Sequence, residues 1–373
     1  MDLPALQWLQ ECISSRAGTA FLRMPVTDRF CSHTFDLDLV VFGEVESFRP
    51  QRIRAPDGTP LDLAWYPDKL LTAPESLAQS GLAAHRLQCS ELLWDGSGQA
   101  ANCRQAFDRC FYQPPIQAKR IGVFLDMGYL TVREIGVTWD FPALALFWLH
   151  MGHAACVAAI ADAVRLACPN VFTRPFGYVD DVERATGLEI RREFIQALQL
   201  ESDPLACIEP LRRIHRAVSA RYSHPSWPAP MRQATRAEYE YTLPAAELEW
   251  RIDVAREMAG NGFPEAALYY LRFWAYSLAR LPMVWHRAAE GQDIAFLRPE
   301  RAVRPDLEKH CPEILPDLTT VLGGQVSVDG IHPAIENLAR LRSTTLSLLR
   351  SRGITPPEAK DWRPHRPQTP TPA

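Results

Sequence analysis

The run Phe35-Asp36-Leu37-Asp38-Leu39-Val40-Val41-Phe42-Gly43 places two carboxylates two residues apart in an otherwise apolar stretch. Side chains of an extended strand alternate between faces, so Asp36 and Asp38 share a face with Val40 and Phe42, while Leu37, Leu39 and Val41 take the other. Asp is depleted in strands, and two like charges on one face repel each other. A divalent cation relieves that conflict, and Mg²⁺, which prefers hard oxygen ligands and takes carboxylates together with waters and phosphates, suits it. A second run, Leu61-Asp62-Leu63-Ala64-Trp65, carries one more Asp among apolar residues. If the two strands pair across the turn at Ala55-Pro56-Asp57-Gly58, Asp62 joins Asp36 and Asp38 on one patch of sheet. Two ions about 3.5–4 Å apart on such a patch could activate an attacking hydroxyl and neutralise a leaving pyrophosphate. The plainer alternative is a solvated strand face with Asp62 paired to a Lys or Arg.

The elements that must position these groups alternate between helix and strand over residues 1–118. Leu3 to Ile13 has helical apolar spacing, and Ala20 to Val26 reads as a short extended segment. The two Asp-bearing strands follow, then a helical pattern over Pro74 to His85 and a strand-turn pattern over Cys89 to Asn102, with Asp95-Gly96-Ser97-Gly98 at the turn. From about Lys119 the period lengthens to 3.6 residues, with helices expected over Pro142 to Cys168, Val179 to Ala185, Arg191 to Leu200, Pro210 to Arg221, Ala245 to Ala259, Pro264 to Leu281 and His332 to Arg352. The chain divides accordingly into a unit over 1–118, a helical domain over 119–222 that closes a cleft, and a second helical region over 231–352. Between the helical parts lies Ser223-His224-Pro225-Ser226-Trp227-Pro228-Ala229-Pro230, and a Pro-rich tail over 353–373 is expected to be disordered.

The chain has 373 residues, 47% hydrophobic and 23% charged, enough apolar surface for real cores. Its 40 Lys and Arg against 44 Asp and Glu give a net charge of -4, which excludes an overall basic field for nucleic acid or an anionic membrane. The most apolar stretch, from Pro142, is interrupted by His150, His153, Asp162 and Arg165, short of the roughly 20 apolar residues a bilayer requires, and reads as a buried helix. Nine cysteines at wide spacing without a C-x-x-C pair argue against disulfides or structural zinc, and with an N-terminus lacking signal-peptide character they point to the cytoplasm.

The order helix, short strand, D-x-D strand, strand with a third Asp, helix, and a strand hairpin around D-x-x-G resembles the nucleotidyltransferase superfamily, which includes DNA polymerase β and the aminoglycoside and minimal nucleotidyltransferases. The resemblance covers about residues 3 to 118. It implies an α+β fold, with a mixed sheet flanked by helices on one side and an all-helical C-terminal part. It also implies transfer of a nucleoside monophosphate from an NTP, ATP foremost, with Mg²⁺ as cofactor and release of pyrophosphate. Carried over by position, Asp36 and Asp38 are the metal-binding pair and Asp62 the third carboxylate. The general base falls early in the helical part, at Glu134 or Asp140. Where the family has Gly-Ser before the D-x-D, this chain reads Pro25-Val26-Thr27-Asp28-Arg29-Phe30-Cys31-Ser32, so Thr27, Arg29 and Ser32 stand in as phosphate contacts and Val26 blocks close backbone approach.

The expected acceptor is a small molecule, with no membrane involved. A protein or tRNA acceptor, as in toxin-like relatives, and a nucleotide-binding module that has lost catalysis are the alternatives. His150 and His153 read as packing residues lacking a third ligand, and the aromatic set Tyr269, Tyr270, Phe273, Trp274 and Tyr276 reads as core ahead of pocket.

Overall fold

Alternation of apolar residues does produce the expected strands, but they join differently. The structure is a computed structural model that describes residues 7–9, 11–12, 20–23, 36–137, 141–222, 227–228, 231, 233–291, 303–324 and 326–355. Five strands, β1 (Ala20–Arg23), β2 (Leu37–Gly43), β3 (Arg49–Arg54), β4 (Pro60–Pro67) and β5 (Glu91–Asp95), form one mixed sheet in the order β3-β4-β2-β1-β5. The turn at Ala55 to Gly58 closes a hairpin between β3 and β4, in which Gly58 adopts φ 86° and returns its N–H to the Ala55 carbonyl at 2.9 Å. Asp62 therefore does not reach Asp38 across that turn. It arrives because β4 runs parallel to β2, with Asp38 opposite Asp62 in register. β3 escapes a reading by apolar alternation because its pattern, Arg-Pro-Gln-Arg-Ile-Arg, is mostly polar, as suits an edge strand.

Each face of the sheet has its own core. Leu37, Leu39, Val41, Leu61, Leu63 and Trp65 pack with Leu9 on one side, while Val40, Phe42 and Tyr66 pack on the other against helices α1 (Pro74–Ala78), α2 (Leu82–Cys89) and α3 (Gln99–Cys110). The single helix expected over Pro74 to His85 is split at Gly81, whose φ of 60° no side chain adopts comfortably. The expected hairpin around Asp95-Gly96-Ser97-Gly98 is instead a strand-to-helix junction. Asp95 accepts from the N–H groups of Ser97 at 3.2 Å, Gly98 at 2.9 Å and Ala101 at 2.9 Å, which satisfies the free donors at the start of α3.

From Pro114 onward the described residues form helices and the turns that join them: α4 (Pro114–Val137), α5 (Pro142–Ala163), α6 (Phe176–Thr186), α7 (Ile190–Ala197), α8 (Ile208–Tyr222), α9 (Gln233–Thr242), α10 (Ala245–Gly260), α11 (Pro264–Ala289), α12 (Val303–His310), α13 (Leu315–Leu322) and α14 (Val328–Ser351). The fold is α+β. Helix α5 is apolar all round and buried along its whole length, so its length and composition would suit a membrane span but its surroundings are protein. It stops short of Cys168 because Arg165 turns left-handed at φ 61° and Leu166 donates back to the Ala161 carbonyl at 2.8 Å. One contiguous buried cluster runs from Ile121 to Ile354, so the helices on both sides of 223–230 share a core. The expected disordered tail falls outside the described residues from 356 onward.

Candidate active site

Parity along β2 and β4 puts Asp36, Asp38 and Asp62 on the face that also carries Val40, Phe42, Ala64 and Tyr66. Helices α1 to α3 cover the far end of that face. Its near end, where the carboxylates stand, is left to a cavity of about 480 Å³. Each of the three aspartates offers a carboxylate oxygen within 4.8 Å of the other two, so together they could hold a metal ion. The expected convergence of the three is what the structure shows. The plainer alternative is realised beside it, since Asp62 is also paired to an arginine.

That arginine is Arg52, the cross-strand neighbour of Asp62 on β3. Its Nη1 donates to Asp62 Oδ1 at 2.7 Å and to Asp36 Oδ2 at 3.1 Å, its Nε lies 2.6 Å from Glu247 Oε2 on α10, and its guanidinium stacks 3.9 Å from the Trp250 ring. The second Asp62 oxygen accepts the Tyr241 hydroxyl at 2.7 Å. Burial alone would favour loss of the Arg52 proton, but Asp62, Tyr241, Asp36 and Glu247 hold the charge in place.

The electrostatics record a surplus of negative charge. Burial first, then the neighbouring charge of Asp36, pushes Asp38 up to about 6, against the pull of Arg174, Arg86 and a 3.4 Å hydrogen bond from Asn170 Nδ2. Asp62 is raised well above the ordinary carboxylate range by burial and by Asp36, with Arg52 opposing. Carboxylates that resist ionisation together are relieved by a hard cation, and oxygen donors of this kind fit Mg²⁺.

The rest of the cavity comes from the helical part. The segment between α5 and α6 supplies Asn170, Thr173 and Arg174, the last two held by backbone donation to the Asn170 carbonyl at 3.1 and 2.8 Å. Arg86 of α2 adds a second buried guanidinium, bonded to the Tyr66 hydroxyl at 3.3 Å. Tyr241, Trp250, Tyr270, Phe273 and Trp274 form an aromatic wall. The aromatic set on α11 is thus divided, for Tyr269 is core and Tyr276 stacks on Phe147 at 4.4 Å. His150 and His153 are packing residues, the first beside the Leu198 carbonyl and Arg272, the second bonded to the Leu149 carbonyl and Asn337.

Of the remaining expected site residues, Thr27, Arg29, Ser32 and Asp140 lie outside the described residues, and Glu134 is described only as part of the α4 backbone. Residues that sequence reasoning missed are Arg52, Arg86, Asn170, Arg174, Tyr241, Glu247 and Trp250, while Tyr270, Phe273 and Trp274, expected as core ahead of pocket, line the cavity. For Arg52 a signal existed: counted outward from the centre of the turn at Asp57, Arg52 and Asp62 are equidistant, as hairpin partners must be.

The chain is similar to a nucleotidyltransferase-like protein from Exiguobacterium sibiricum 255-15. The two are 12% identical, the match covers 85% of this chain and 90% of that one, and the TM-score is 0.25. No protein-family profile matches the chain, and no curated protein matches it. A functional reading must therefore rest on the site's own geometry.

Proposed function

We propose that the protein is a Mg²⁺-dependent nucleotidyltransferase that moves a nucleoside monophosphate from an NTP, ATP foremost, to a small-molecule acceptor and releases pyrophosphate. The observation that carries this reading is the convergence of Asp36, Asp38 and Asp62 at a cavity also lined by Arg86, Asn170 and Arg174. In this reading the aspartates hold the ion, which when bound supplies neutralisation of the phosphate charge. Arg174 and Arg86, both close enough to pull on the Asp38 charge, would contact the phosphates beside it. For the general base the family resemblance implies Glu134 or Asp140. A cavity of about 480 Å³ suits a small substrate. Among the described residues the three aspartates are the acidic residues of its lining, and the helical side offers a flat or apolar acceptor an aromatic surface. The free thiols of Cys12, Cys89, Cys103, Cys110, Cys156, Cys168, Cys207 and Cys311 fit the cytoplasmic setting expected above.

The test is incubation with each α-labelled NTP, Mg²⁺ and a cell extract, followed by identification of what becomes labelled. Labelling of a small molecule by wild type and not by Asp38→Asn supports the reading, and labelling of protein or tRNA would move the acceptor to that class. A second reading, a nucleotide-binding module without turnover, draws on one observation: both oxygens of Asp62 already accept protein donors. NTP binding without any pyrophosphate release would select it.

A further inference from the structure

Arg52 is not a surface arginine that happens to touch an acid. Its side chain is 3% exposed, and it is fixed by the β3–β4 register, by stacking on Trp250 and by the Glu247 carboxylate behind it. What it contacts with Nη1 is the gap between Asp36 and Asp62, at 3.1 and 2.7 Å. With Tyr241 donating to the other oxygen of Asp62, that carboxylate is engaged on both sides. Asp38, by contrast, has as its described hydrogen-bond partner only the long 3.4 Å contact from Asn170. A divalent ion bound through Asp62 would approach its oxygens to about 2.0–2.1 Å and stand directly against the guanidinium, where two cations repel at close range. Asp36 differs from Asp62 in that Arg52 engages only its Oδ2, at 3.1 Å, which leaves Oδ1 to share an ion with Asp38.

We propose that Arg52 takes the place of one divalent ion, so that the nucleotide-free triad binds a single ion through Asp36 and Asp38 while Asp62 serves the guanidinium. The guanidinium supplies fixed positive charge where a second ion would stand in a two-metal site, and unlike an ion it cannot dissociate. Arg52 is in this sense a positioning residue: it orients Asp62 and sets how many ions the triad accepts. The inference rests on reading the triad as a metal centre.

The experiment is a Mn²⁺ titration of the full chain without nucleotide, read by electron paramagnetic resonance for the number of bound ions and for coupling between them. Wild type is expected to bind one uncoupled Mn²⁺, with affinity falling about tenfold or more in Asp38→Asn as a ligand is lost. Arg52→Met, which keeps an apolar stem against Trp250, should bind a second ion coupled to the first and gain more thermal stability from Mn²⁺ than wild type does. Arg52→Lys, which keeps the charge, should stay at one ion. Should Arg52→Met fail to fold, the wild-type and Arg52→Lys counts decide. Two coupled ions in wild type, or one in Arg52→Met, would overturn the role of Arg52 and leave the metal centre standing. No bound Mn²⁺ in any variant would overturn the metal centre itself, and the inference with it.

Discussion

Asp38 stands where a buried strand face turns into a polar cleft, and its titration makes the conflict measurable. Its pKa near 6 in the folded chain lies above the ordinary 3.8. Between those values the native state binds more protons than the unfolded chain, so this group's contribution to stability falls as pH rises through the window. The metal-free protein should accordingly gain thermal stability between pH 7 and pH 5 relative to Asp38→Asn, which lacks the titration. An equal response of the two to pH would contradict it. Mg²⁺ affinity should move the other way, weakening as pH drops below about 6 because protons compete for the same oxygens, and calorimetry at a series of pH values checks this. Asp38→Asn should also abolish pyrophosphate release while leaving the circular dichroism spectrum unchanged, since a neutral amide is a poor Mg²⁺ ligand of nearly the same shape.

At the scale of elements, the sheet part is fastened to the helical part by a buried ion pair. Arg120 of α4 makes a two-pronged contact to Asp162 of α5 at 2.7 and 2.8 Å and donates to the carbonyls of Ala78 and Phe111 at 2.7 and 3.0 Å, so one side chain ties α1 and α3 to α5. Burial pushes Asp162 upward, yet hydrogen bonds from His85 and Arg120 hold it below the usual carboxylate range. This pair therefore contributes stability above the ordinary carboxylate pKa and loses it as pH falls through the depressed value. Arg120→Met leaves Asp162 buried without its charge partner and should cost about 3–5 kcal/mol, read from urea unfolding. Arg120→Met combined with Asp162→Leu should cost less than Arg120→Met alone, because the uncompensated charge is then gone. A double variant as unstable as the single would assign the loss to packing instead.

Across the whole molecule, contacts between the sheet and the helices pass through the candidate site as well as through Arg120. Asn170 reaches Asp38, Tyr241 reaches Asp62, Glu247 reaches Arg52 and Arg54, and the backbone N–H of Cys168 donates to His85 Nδ1 at 3.2 Å. Chains of this length often unfold in stages. Here the shared polar contacts are expected to couple the two parts, so that tryptophan fluorescence and far-ultraviolet circular dichroism report one coincident thermal transition. Two separated transitions would show that the cleft contacts contribute little to holding the parts together. The aromatic wall should act on substrate and leave the metal centre alone: Trp274→Ala is expected to raise KM for the acceptor by about tenfold or more, as loss of a large stacking surface does, with Mn²⁺ affinity unchanged.

How much of this was legible beforehand follows from the range of the forces involved. Period-two alternation placed Asp36, Asp38 and Asp62 on like faces of two strands, because side-chain direction in a strand is a local property of the backbone. Its long apolar run marked the buried α5, and period 3.6 marked most of the other helices after Lys119, because helical side-chain direction is local too. The α+β architecture could thus be read from the chain. Strand partners could not: the Ala55 to Gly58 turn announces a hairpin but not which strand precedes it, and the polar β3 carries no apolar signature. Nor could the sequence pair Arg52 with Glu247 and Trp250, or Asn170 with Asp38, residues up to 198 positions apart whose meeting depends on how the helical part docks on the sheet. By itself the sequence determined which residues carry charge on which face of each element. Only the tertiary structure decided that the charge of the triad is met by an arginine from its own sheet, because a contact between distant side chains is fixed by packing and register, which no local pattern encodes.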